Sequence, residues 1–231
     1  MKRRTAVLAV SAASGLAVSL MALPAGAESS VSPTTLAGTV VKKSDLLPWF
    51  PKTKTVRAPG PGTGDERIRT QEICFKTADK ALNLKKLPKR QAWSEMFTNR
   101  LGTRGMLSLM AQYKSKAKAK ERMQAVRAKL ASCPPVIATV DSTITQSAVG
   151  LGSVYGGKGI GIYASLDMGG DDPQESIEYL VIRRMGRALA FTWFTYVNTW
   201  AAGPPTTVPA KARSATEYLS VAVASRYDAV T

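Results

Sequence analysis

The chain has 231 residues, of which 32 are Lys or Arg, 16 are Asp or Glu and none is His, a formal net charge of +16. The missing histidine excludes Ser-His-Asp and Cys-His nucleophilic sites and the usual zinc hydrolase centres, all of which need imidazole. An apolar content of 45% argues against a globally disordered chain.

Residues 1–27 read as a secretory signal peptide. Lys2, Arg3 and Arg4 give a basic start, an apolar stretch runs from about Ala6 to Leu23, and Ala25-Gly26-Ala27 supplies the small residues that signal peptidase requires. Ser11, Ser14, Gly15 and Ser19 interrupt the stretch and make it a poor membrane-spanning helix. Cleavage between Ala27 and Glu28 leaves 204 residues with 29 basic and 16 acidic side chains, a net charge of +13. No later run is apolar for long enough to span a bilayer, so the expected location is secreted and extracellular. Residues 28–38, rich in Ser, Thr and Pro, suggest a flexible leader. Residues 39–231 have the length of one domain with a sizeable core.

Two cysteines follow, Cys74 and Cys133. In an oxidising compartment a lone pair in one domain reads as a disulfide. The alternatives are a metal site or a catalytic thiol, and both lack the histidine they would use. A bridge would close a loop of 59 residues, which contributes about 4 kcal/mol in the chain-entropy model.

Ala92 to Arg100 and Met106 to Tyr113 read as strands flanking the turn "LGTRG". A basic segment follows, from Tyr113 to Pro135. Ser115 can cap a helix start, and Pro134-Pro135 cannot continue it. Ala119, Met123, Val126, Leu130 and Cys133 recur at helical spacing, so they form one apolar face while the lysines and arginines occupy the rest. That pattern is a core-packed helix with a solvated basic side. An exported chain without a nucleic-acid motif does not point to nucleic acid as the partner; an anionic cell-wall polymer suits +13 outside a cell.

Ala138 to Ala148 is rich in β-branched residues and reads as a strand, as do Gly159–Met168, Ser176–Arg184 and Arg187–Val197, the last two around a Met185-Gly186 turn. "GSVYGGKG" matches the start of a phosphate-loop pattern, but Gly159 stands where Ser or Thr should be and a strand-like stretch follows in place of a helix. "DMGGDDPQE" fails the calcium-loop spacing and sits where two strands need a connection. No metal and no cofactor is expected. A final helix starts near Pro209, with Ala215, Leu219, Ala222 and Val223 as its apolar stripe. The order ββα-ββββα is an α+β domain, an antiparallel sheet of about six strands with two main helices and one disulfide.

The segments "EICF", "MAQYKSKAKAKERMQAVRAKLASC", "YLVIRRMGRALAFTW" and "ARSATEYLSVAVASRY" give this layout a resemblance to a known family. Over about residues 39–229 it resembles the extracellular sensor domain of actinobacterial serine/threonine kinases of the PknH type, here without a kinase domain. The resemblance implies an α+β fold with a cleft for an extracellular ligand. Members with two disulfides have four cysteines, and this chain has two.

Two readings of function follow. The first is a secreted, non-catalytic, sensor-like ligand-binding domain. Arg183, Arg184 and Arg187 at the hairpin turn and Trp200 in a Pro-bounded loop are its candidate ligand residues. Tryptophan can stack on a sugar or line a pocket, but Trp93 and Trp193 lie in strands and suit the core, and Trp49, between Pro48 and Phe50, is given no role. The alternative is a carboxylate-dependent hydrolase of cell-wall glycans, with its pair drawn from Asp65, Glu66, Glu95, Asp167, Asp171, Asp172, Glu175 and Glu178. No catalytic residue is assigned, because no catalytic motif is present.

Overall fold

The structure, a computed structural model, describes residues 30–62, 90–99, 104–132, 134–138, 142–154, 157–168, 174–198 and 209–231. Two short helices come first, α1 (Pro33–Ala37) and α2 (Lys43–Leu46). They are followed by β1 (Lys54–Pro61), β2 (Gln91–Phe97), β3 (Arg104–Gln112) and α3 (Lys116–Ala131). A run of five strands comes next: β4 (Val136–Ala138), β5 (Ser142–Val154), β6 (Gly157–Met168), β7 (Gln174–Met185) and β8 (Ala188–Asn198). Helix α4 (Ala210–Asp228) closes the chain. The class is α+β, as the sequence implies, but the described residues form eight strands where about six are expected. The additions are β1, which carries Pro59, Gly60 and Pro61 and slips register twice against β2, and the three-residue β4.

All pairings are antiparallel, in the order β1-β2-β3-β8-β7-β6-β5-β4. One meander (β1 to β3) and a second (β4 to β8) therefore meet at the β3–β8 seam, with α3 as the crossover between them. Alternation along each strand sends side chains to two faces. On one face Met96, Met106, Met110, Ile177, Tyr179, Val181, Ala190 and Phe194 pack against Leu36, Leu46 and the α4 residues Ala212, Leu219, Val223 and Tyr227. On the other, Leu109, Ile160, Ile162, Leu180, Ile182, Leu189, Phe191 and Trp193 pack against Ala119, Met123 and Val126 of α3. Leu130 packs against the same cluster while half-buried. The expected apolar stripe of the basic helix is thus its core face, and Ser115 Oγ accepts from the Lys118 N–H at its start.

Two expectations need correction. The leader 28–38 contains structure from Val31 onward: Val31, Leu36 and Ala37 are buried, Ser32 Oγ accepts from the Thr35 N–H, and Pro33 opens α1. Ser-Pro before a short run closed by Gly38 is a start and stop signal that outweighs composition. The hairpin turn is Gly186-Arg187, not Met185-Gly186, because Met185 pairs with Ala188. Gly186 has φ 49°, which a side-chain-bearing residue rarely adopts. Cys74 and Cys133, the signal-peptide junction at Ala27 and Glu28, and Trp200 lie outside the described residues. Among the described residues no helix is long and apolar enough to cross a membrane.

Candidate functional site

The three arginines at the β7–β8 hairpin do not converge. Arg183 shares its face with Tyr179 and Val181, turns under α4 and is only 4% exposed. Arg184 lies on the opposite face, where its Nη1 reaches the Gly186 carbonyl at 3.4 Å. Arg187 donates to the carbonyls of Tyr113 at 3.0 Å and Lys114 at 2.9 Å, which ties the hairpin to the end of β3.

Arg183 belongs to a polar chain between the sheet and α4. Its Nε donates to Ser220 Oγ at 2.8 Å and its Nη1 to the Gly152 carbonyl at 3.1 Å. Ser220 Oγ donates to the Glu217 carbonyl at 2.6 Å, and Tyr179 Oη donates to Glu217 Oε1 at 2.6 Å. Arg213 Nε donates to that same oxygen at 3.0 Å. Gly159 and Gly161 make room for this chain. A Cβ on Gly159 would stand 2.8 Å from Arg183 Nη1, and one on Gly161 would stand 2.6 Å from Tyr179 Oη. What resembles a phosphate loop is therefore the β5–β6 hairpin, with Val154 paired to Gly157.

Burial pushes the Glu217 carboxyl up. The hydrogen bonds from Tyr179 and Arg213 and the charges of Arg213 and Arg183 outweigh burial, so the group sits below its ordinary 4.5. A depressed carboxyl stabilises the fold above the ordinary value, and that contribution is lost as pH falls through the lowered one. Glu217→Gln should therefore be less stable than the wild type near neutrality, and the gap should close as the pH falls below the ordinary carboxylate value and through the lowered one. Urea melts at a series of pH values check this; a constant gap would mean that the charge of Glu217 contributes nothing. Tyr179 is raised by burial and then by its bond to Glu217. Burial alone pushes the Tyr113 phenol up to about 12, with Arg122 opposing it.

A second cluster forms a groove between α2 and α4. Ser44, Asp45, Pro48, Trp49, Tyr218, Ala222 and Arg226 line a volume of about 520 Å³. The turn after α2 aims its aromatics two ways. Phe50 goes down onto Phe194, with ring centroids 6.0 Å apart and nearly parallel. Trp49 goes across to Tyr218, 5.7 Å away with the planes 48° apart. Tyr218 is 59% exposed. At the end of the groove Arg226 Nη2 donates to Asp45 Oδ1 at 2.5 Å, and its Nη1 donates to the Val40 carbonyl at 3.1 Å. Asp45 Oδ2 accepts from the Lys42 N–H at 2.7 Å. The sequence does not assign this groove: Trp49 is not among its ligand candidates, and of the lining residues on α4, Tyr218, Ala222 and Arg226, only Ala222 is singled out, as part of the core stripe, whereas it is half-buried at the groove. The spacing of these three by four residues is a second stripe on α4 beside the core stripe, and an exposed tyrosine on it is the signal.

Of the candidate carboxylates, Asp65, Glu66, Asp171 and Asp172 lie outside the described residues. Asp167 and Glu175 pair across β6 and β7, where only their backbone is described. Glu95 and Glu178 share a sheet face, but β3 and β8 lie between their strands. Three interstrand spacings put their strands about 14 Å apart, and Glu178 is a further two residues out of the row of Glu95, so the separation is wider than the ~5–9.5 Å of a glycosidase pair. Trp193 is buried, and Trp93 is half-buried with the Arg57 guanidinium 4.1 Å above its ring.

No protein-family model matches the chain. No curated protein matches it either. Among solved structures, it is similar to the Rv0999 ortholog from Mycobacterium smegmatis, at 11% identity over 82% of this chain and 95% of that one, with a TM-score of 0.45. It is also similar to the extracellular domain of PknH from Mycobacterium tuberculosis, at 9% identity over 86% of this chain and 98% of that one, with a TM-score of 0.46.

Proposed function

We propose that the chain is a secreted, non-catalytic, sensor-like domain whose ligand sits in the groove between α2 and α4. The observation behind this reading is an exposed aromatic corner beside a carboxylate that is already engaged. Trp49 and Tyr218 offer two ring faces above the small side chain of Ala222, a shape suited to stacking on a flat or C–H-rich ligand. Both oxygens of Asp45 are taken, one by Arg226 and one by the Lys42 N–H, so it is poorly placed to accept or give a proton. Asp45 is the carboxylate among the residues lining the groove, and these features favour binding over hydrolysis. The exposed lysines of α3 are the proposed contact with anionic envelope polymer.

Protein expressed with its first 27 residues and purified from the culture medium tests the reading. Its amino terminus should be Glu28, and native mass spectrometry should find an adduct that the double variant Trp49→Ala, Tyr218→Ala loses. Chain retained in membranes with Met1 in place would refute secretion. An adduct unchanged in the double variant, or none on the wild type, would refute the groove.

A further inference from the structure

The two edges of the sheet are built differently. The β1 edge carries Lys54 and Arg57, has two prolines without N–H groups at Pro59 and Pro61, and slips register between Thr55 and Arg57 and again between Arg57 and Gly60. Charge, proline and irregular register are the devices that keep an edge from pairing with another strand. The other edge lacks most of them. Ser142–Val154, "STITQSAVGLGSV", holds no charge and no proline. Strand β4 covers it only from Thr143 to Thr145. From Gln146 to Leu151 the register with β6 is unbroken, and no described strand lies against the outer side. Ser147, Ala148, Val149 and Gly150 are all exposed, Val149 by 43%. Every second residue of such a run turns its N–H and C=O outward.

We propose that this edge pairs antiparallel with the same edge of a second copy, about a two-fold axis at Val149, so that one sheet runs through a dimer. The axis must be normal to the sheet, which keeps matching faces together and places residues of the same parity opposite each other. Ser147 of one copy then faces Leu151 of the other, Ala148 faces Gly150, and the two Val149 side chains cover one another. The irregularity between Leu151 and Ser153 bends the rest of β5 away before it meets β4 of the other copy.

Charge selects the occupant. A chain at +16, or +13 after cleavage, repels its own kind everywhere except along a seam without charge, and this edge is such a seam. An acidic partner would be drawn to the lysines of α3 and would gain nothing specific here. A two-fold pairing also consumes both open edges at once, while the guarded β1 edge prevents extension into a fibre.

Sedimentation velocity on the mature chain should show a dimer. Val149→Lys and Val149→Glu each set like charges face to face at the axis, and each alone should be monomeric yet folded, with the circular dichroism spectrum of the wild type, because the side chain is exposed in the single chain. Mixed in equal amounts, the two variants should recover the dimer. A monomeric wild type, a dimer that survives either single variant, or a mixture that stays monomeric would each overturn the proposal.

Discussion

Phe191→Ala and Phe194→Ala should each destabilise the protein by about 3–5 kcal/mol, a fall in melting temperature of roughly 6–20 °C for a domain of this size. The two residues sit on the central strand β8, three positions apart and therefore on opposite faces. Phe191 packs toward α3 and Phe194 toward α1, α2 and α4, and both are fully buried, at 0% and 1% exposure. A sheet with one wet face would make one of these substitutions cheap. Phe194→Ala also removes the ring on which Phe50 stacks, so it should loosen the turn that presents Trp49 and weaken ligand retention in the groove. Thermal and urea melts measure the stability loss. A cost below about 1 kcal/mol for either residue would mean that its face is not packed as described.

These two phenylalanines also show what the sequence could carry. Period-two alternation is local, so the strand pair around Gly186 and the shared face of Leu189, Phe191 and Trp193 are legible without a structure. The β3–β8 seam is not, because it joins segments about 80 residues apart and no local pattern encodes it. Arg183 was legible in principle. It has the parity of Ile177, Tyr179 and Val181 in a strand apolar on both sides, which places it under a neighbour rather than at a wet turn. Reading it with Arg184 and Arg187 as a cluster treats adjacency in sequence as adjacency in space, which a strand forbids. The groove failed for the reason the seam did. Trp49 and Tyr218 meet only after α2 and α4 have docked on the same sheet face, and nothing near either residue announces the other.

For α3 the sequence and the structure make the same statement, and its consequence can be measured by separating the two sides of the helix. Met123 is 4% exposed against the sheet, and truncating a buried methionine costs about 2–5 kcal/mol. Leu130→Ala should cost less, because Leu130 is only half-buried. Lys116, Lys118 and Lys120 are all exposed, and Lys118 makes its ion pair with Glu121 out in solvent. Changing these three to Gln should shift stability by no more than about 0.5 kcal/mol each, in either direction. The same triple change should lower the salt concentration at which the protein leaves a polyphosphate column, since each exposed charge adds to the long-range field that salt screens. Met123→Ala should melt early yet elute with the wild type. If the lysine variant unfolds while Met123→Ala does not, the charged side of α3 holds the fold and its apolar stripe has been assigned to the wrong face.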